Sequence, residues 1–167
     1  MTMSHIRKRA IAGLKPGDSF SVSRTFTEQD TMIFADVSGD YNPVHFDDQF
    51  TDAKNFRGRI CHGLLVASLA TEIGGQIGWL ASGMNFRFKK PVYFGDIIEC
   101  SLTITEIDDR NRAKAEAVFK NQQNEVVIGA HLTGIVPSFQ ERQIMETMTA
   151  EGDPTNKSRL TTNLLDS

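Results

Sequence analysis

Three stretches in the second half of the chain alternate apolar and polar residues, and this alternation limits the fold more than any other feature. Ile98, Cys100, Leu102 and Ile104 alternate with Glu99, Ser101, Thr103 and Thr105. Ala113, Ala115, Ala117 and Phe119 repeat the pattern, as do Val126, Ile128, Ala130 and Leu132. A period of two puts all the apolar groups on one face of a strand. The intervening "DDRN" and "NQQN" are turn sequences, so the region reads as an antiparallel meander with one wet face. "MNFRFKKPVYFGD" adds one or two strands before it, and "DSFSVSRTF" (residues 18–26) reads as a first strand. The apolar face needs a cover. "CHGLLVASLATEIGGQIGW" is apolar on nearly every side through Ala70, as a helix buried all round would be. The economical architecture is α+β, a long antiparallel sheet curled around one buried helix.

The remaining segments fit around this core. Thr27 is an N-cap candidate with Asp30 in the following turn, and Gly39 ends that helix. Met32, Ile33, Ala35 and Val37 supply its expected apolar side. "DDQFTDAKNFRGR" reads as irregular with a short helix. One domain over residues 1–137 is expected, followed by a tail over 138–167 that begins as a short helix and then frays. The 167 residues suit a single domain. A net charge of −3 gives no general affinity for nucleic acid or an anionic membrane. No apolar core follows the basic "HIRKR" cluster, so it is not a secretory signal. "GLLVASLA" is too short to span a bilayer. Cys61 and Cys100 form no CxxC pair and suit a reducing compartment, so a cytoplasmic location is expected.

"FADVSGDYNPVHFDD" places Asp40 and His45 on one short loop. As a bare pair these are most simply a helix cap and a surface imidazole. The loop, however, is stiff. Gly39 lets the backbone leave the helix, and Pro43 fixes its own φ while holding Asn42 extended. A carboxylate can take a proton from water, and an imidazole with an ordinary pKa of about 6.5 can hold or donate one near neutrality. Together they suit moving a water molecule rather than supplying a covalent nucleophile.

"CHGLLVAS" places Gly63 at a helix start, where unpaired backbone N–H groups can stabilise an oxyanion. Equally, the glycine can simply permit tight packing. Ser68 either bonds back to a helix carbonyl or reaches the loop carboxylate. His62 is a rival imidazole, assigned here to ordering the loop at the helix entrance. Arg57, Arg59, Arg87, Lys89 and Lys90 read either as a solvated face or as phosphate contacts. No GxSxG, P-loop or HExxH motif is present, and "GGQIG" is too weak for a dinucleotide fingerprint. His45, His62, Asp47 and Asp48 have no usual zinc-ligand spacing, so no metal is expected.

"GDYNPVHFD", "GRICHGLLVASLATE" and "FRFKKPVYFGD" together resemble the MaoC-like, R-specific enoyl-CoA hydratases and related hydroxyacyl-thioester dehydratases, over roughly Lys15 to Val136. The resemblance implies the hot-dog fold, a curved sheet wrapped around one long helix. It implies Asp40 and His45 as the catalytic pair, the Gly63 amide as the group polarising a thioester carbonyl, and Ser68 as support for Asp40. The implied reaction is reversible hydration of a trans-2-enoyl thioester to a (3R)-3-hydroxyacyl thioester. Coenzyme A or a carrier-protein arm would be the handle, with no metal or redox cofactor. A homodimer with grooves between its chains is implied. Asn42 and the cations Arg57, Arg59, Arg87, Lys89 and Lys90 form the expected substrate-binding set. The chain departs from the family at Met84, where a Gln is frequent, in a short segment before it, and in the tail after Pro137. The alternatives are a hot-dog thioesterase and a non-catalytic acyl-thioester-binding subunit.

Overall fold

Five antiparallel strands form one sheet in the order β1-β3-β4-β5-β2. The structure, a computed structural model, describes residues 4–156. The strands are β1 (Ser19–Thr25), β2 (Leu80–Phe88), β3 (Ile97–Ile107), β4 (Arg112–Lys120) and β5 (Val126–Ile135). β3, β4 and β5 are the meander expected from the alternation. Its two turns each hold an Asn with positive φ, Asn111 (59°) and Asn124 (63°), a conformation that Asn tolerates. Ile98, Cys100, Leu102 and Ile104 are buried, as are Ala113, Ala115, Ala117 and Phe119. β5 departs slightly: the register shifts between Phe119 and Lys120, and Val127 is buried with Ile128.

The buried helix is present but interrupted. α4 (Gly63–Ala67) and α5 (Leu69–Ile77) meet at Ser68, which ends one and starts the other. The Ser68 hydroxyl donates to the Leu65 carbonyl at 2.6 Å, the back-bonding that bends helices. Leu65, Val66, Leu69, Ala70, Ile73 and Ile77 pack beneath the sheet, whereas Leu64 is exposed. The family's fold is present with its central helix broken once.

α2 (Glu28–Ser38) has the expected ends. Thr27 and Asp30 form a reciprocal capping box, and Gly39 is left-handed with φ 74°. A cap of this type stabilises a helix by about 1 kcal/mol. Its apolar side is corrected: Thr31 and Ala35, four residues apart, face inward, while Met32, Ile33 and Val37 are exposed. The short helix expected after the Asp-His loop is α3 (Asp48–Ala53).

Both described chain ends pack against the core. The basic N-terminal cluster lies in a helix, α1 (His5–Ala12), capped by the Ser4 side chain, with Ile6 and Ala10 buried one turn apart. The segment after Ser138 begins as the expected helix. It forms α6 (Phe139–Ala150) behind a capping box of Ser138 and Glu141, and the chain stays packed to Asn156. The buried Arg7 ties the two ends together. It faces the buried Asp153 at 3.7 Å and donates to the Gly75 and Thr155 carbonyls at 3.3 Å. The expectation for 157–167 lies outside the described residues. Among the described residues no helix is long and apolar enough to cross a membrane.

Candidate active site

Asp40 follows the left-handed Gly39 that ends α2, and its carboxylate lies 3.9 Å from Nε2 of both His45 and His62. The loop is held by its own side chains. Asn42 Oδ1 accepts from the Val44 N–H at 3.2 Å and caps a single 3-10 turn, Pro43–His45. Pro43 sits where no N–H is needed. The turn delivers His45 into the interior, where it is 6% exposed; Asp40 remains half open to solvent.

The extended segment 60–62 meets this loop. It is fixed by an antiparallel bridge between Ile60 and Tyr93 and by the Cys61 N–H bonded to the Val92 carbonyl at 2.8 Å. His45 Nδ1 lies 2.8 Å from the Ile60 carbonyl. A carbonyl only accepts, so Nδ1 carries the hydrogen, and Nε2 of the neutral ring presents its lone pair. That Nε2 is 3.9 Å from Asp40 Oδ2, too far for a direct bond and suited to a shared water. Burial pushes the His45 imidazole below its ordinary value, more strongly than the Ile60 bond raises it; the His62 ring adds to the lowering and Asp40 opposes it. His45 is therefore neutral at physiological pH.

Asp40, His45, His62 and Gly63 line one cavity of about 550 Å³, together with Phe34, Val66, Phe88 and Ile128. Its walls are mainly apolar, and its lining includes Lys89 and Lys90. Gly63 is the first residue of α4, and its N–H has no acceptor within the helix. The packing role of this glycine is realised as well: a Cβ there would stand 2.6 Å from Phe88 Cε1.

The sequence-derived site thus divides. Asp40, His45 and Gly63 converge. Ser68 does not reach Asp40; its hydroxyl is taken by the Leu65 carbonyl, the ordinary outcome for a serine in an apolar helix. Asn42 acts through the loop cap. The cations also separate. Arg59 is held by Glu28 at 2.5 Å and Asp48 at 3.3 Å. Lys90 pairs with Glu125 at 2.6 Å. Arg57 lies over the Tyr93 ring and faces Asp96 at 3.6 Å. Lys89 and Arg87 have no carboxylate partner among the described residues, and of these two only Lys89 lines the cavity. Cys61, beside His62, has its thiol pushed up to about 11 by burial and is no nucleophile.

His62 contributes more than the sequence indicated. Its ring stacks on that of His45 with centroids 3.7 Å apart, and its Nε2 lies 2.8 Å from the Asp40 backbone carbonyl. Donor atoms of Asp40, His45 and His62 lie within 4.8 Å of one another, a set that can be tested against a metal. The fit is poor, because His62 Nε2 already carries the hydrogen given to the Asp40 carbonyl. Asp47 and Asp48 lie elsewhere in function: Asp47 caps α3 and Asp48 pairs with Arg59.

Comparison with known proteins bears on the family and the fold. The family model described as "MaoC like domain" matches residues 14–127. The chain is 33% identical over 132 residues to a mitochondrial 3-hydroxyacyl-[acyl-carrier-protein] dehydratase of Arabidopsis thaliana, covering 75% of this chain and 80% of that protein. It is 30% identical over 130 residues to an (R)-specific enoyl-CoA hydratase of Rhodospirillum rubrum, covering 75% and 90%. The solved structure of the R-hydratase PhaJ1 from Pseudomonas aeruginosa, unliganded, superposes with a TM-score of 0.70 at 30% identity, covering 77% of this chain and 85% of that one.

Proposed function

Since the chain belongs to the MaoC-like domain family, we propose that it reversibly hydrates trans-2-enoyl thioesters to (3R)-3-hydroxyacyl thioesters. The observation that carries the reading is a carboxylate and a neutral imidazole, 3.9 Å apart, lining a mainly apolar cavity that Gly63 also lines. The relatives whose names are hydratase and dehydratase support the same chemistry.

The geometry suggests the following steps. The thioester carbonyl accepts from the Gly63 N–H, which draws charge from C3. A water between Asp40 and His45 is deprotonated by the pair and attacks C3. The same pair returns a proton to C2, so the net change is addition of one water. The two groups act as a coupled unit. No step in this scheme calls for a metal or redox group. Lys89, which lines the cavity, suits the phosphates of coenzyme A or of a carrier-protein arm.

Two copies would complete the unit. β2 pairs with β5 on one side only, and Leu80, Met84 and Phe88 on it are exposed, as is Leu64. Open apolar edges are normally paired or covered, and a two-fold dimer is the commonest closed solution. Sedimentation at micromolar concentration should show no active monomer. The buried thiols Cys61 and Cys100 accord with the reducing cytoplasm.

The decisive experiment adds purified protein to crotonyl-CoA and follows loss of the enoyl-thioester absorbance, then determines product stereochemistry. A (3R)-hydroxy product is expected. Free coenzyme A as the product would indicate a thioesterase. Tight acyl-CoA binding without turnover would indicate a binding subunit.

A further inference from the structure

His62 is outside the pair through which the proposed hydration runs, yet it is bonded to one member and stacked on the other. Its Nε2 lies 2.8 Å from the Asp40 backbone carbonyl, and its ring centroid is 3.7 Å from that of His45. Two residues earlier, the Ile60 carbonyl holds His45 Nδ1 at 2.8 Å. One bridged segment therefore carries a support for each member of the pair.

The hydrogen positions follow from the partners. The Asp40 carbonyl can only accept, so Nε2 of His62 is the protonated nitrogen. Its Nδ1 is buried and has no hydrogen-bond partner among the described residues. The ring is 1% exposed, and the Phe34 ring lies 5.0 Å away, centroid to centroid.

We propose that His62 is a positioning residue: it carries its hydrogen on Nε2, clamps the Asp40 backbone and backs the His45 ring, leaving proton transfer to Asp40 and His45 alone. The inference rests on the hydratase reading above and adds a third residue to it. Misplacing a reacting group by about 1 Å can cost on the order of 10²-fold in rate.

Three variants and one spectrum test it. The Gln amide places a donor near the His Nε2 position, so His62→Gln should keep kcat within about tenfold of wild type. His62→Asn reaches only the Nδ1 position and His62→Phe keeps only the stacking. Both should lower kcat roughly 10²-fold, with KM little changed. Nitrogen NMR of the wild-type protein at pH 8 should show His62 with its hydrogen on Nε2. Equal losses in His62→Gln and His62→Phe would make His62 a proton-transfer group and overturn the proposal. Wild-type kcat in folded His62→Asn would overturn it too, as would a spectrum with the His62 hydrogen on Nδ1. Absence of hydration by the wild-type chain counts against the hydratase reading, whereas the spectrum bears on His62 by itself.

Discussion

Gly63 and Phe88 touch so closely that a methyl group on the glycine would stand 2.6 Å from the Phe88 ring. Phe88 is half exposed and can swing aside, so Gly63→Ala should cost only about 1 kcal/mol of stability, the low end for overpacking. The swing moves a cavity wall, and kcat/KM should fall about 10²-fold. Thermal unfolding and steady-state kinetics separate the two effects. If the clash is the cause, adding Phe88→Leu should restore the melting temperature.

Asp40→Asn and His45→Asn should each reduce kcat by about 10²–10⁴-fold, the range for loss of general acid–base catalysis. Asparagine at 45 retains a donor near the Nδ1 position for the Ile60 carbonyl, so the loop should keep its shape by circular dichroism. The double variant should be scarcely slower than the slower single one, because groups that act as a unit are not additive. Turnover near wild type in either folded single variant would remove the pair from the mechanism.

The pH dependence follows from His45, whose imidazole is depressed in the folded state, chiefly by burial. The unfolded chain titrates near 6.5, so below that value it takes up the proton more readily than the native protein does. The His45 contribution to stability is therefore complete at neutral pH and is lost as pH falls through 6.5 toward the lower native value. The acid limb of kcat/KM should also have its midpoint below 6.5. In Asp40→Asn, which removes a charge that favours protonation, the His45 NMR titration should move lower still.

The cations should separate by their partners. Lys89→Ala should raise KM for an acyl-CoA up to about fivefold, the range of an exposed ion pair, and the difference should shrink as salt rises. Arg59→Ala should leave KM nearly unchanged, because that guanidinium is held by Glu28 and Asp48. A salt-insensitive KM in both variants would place the phosphates elsewhere.

Chelation should leave kcat unchanged, and added Zn²⁺ should inhibit only by competing for Asp40 and His45. A metal would require the His62 tautomer to change and its bond to the Asp40 carbonyl to break. Loss of activity to a chelator with recovery on zinc would reverse this expectation.

The sheet was legible because each strand of the meander states its own period. The pair Asp40 and His45 was legible because Gly39 and Pro43 define the loop locally. Other features lacked such a signal. Arg7 lies in a run of exposed-type residues, and the carboxylate that lets it be buried is Asp153, far away in sequence. Four apolar residues in α2 suggested an inward side, but the helix lies beside α4 and buries only the Thr31–Ala35 stripe. Ser68 offered two acceptors on paper, and the nearer one, Leu65, holds it. The stacking of His45 on His62 depends on how the extended segment docks, which no local pattern encodes.

The strand order also sets a timetable for folding. β3, β4 and β5 are joined by short turns and can pair as soon as they exist, whereas β1 and β2 must each close a long loop to reach an edge. Asp40, His45 and His62 all lie between β1 and β2 in the chain. Their arrangement is complete only after both late strands have docked. On refolding from denaturant, recovery of catalytic turnover should therefore trail recovery of the β-sheet circular dichroism signal.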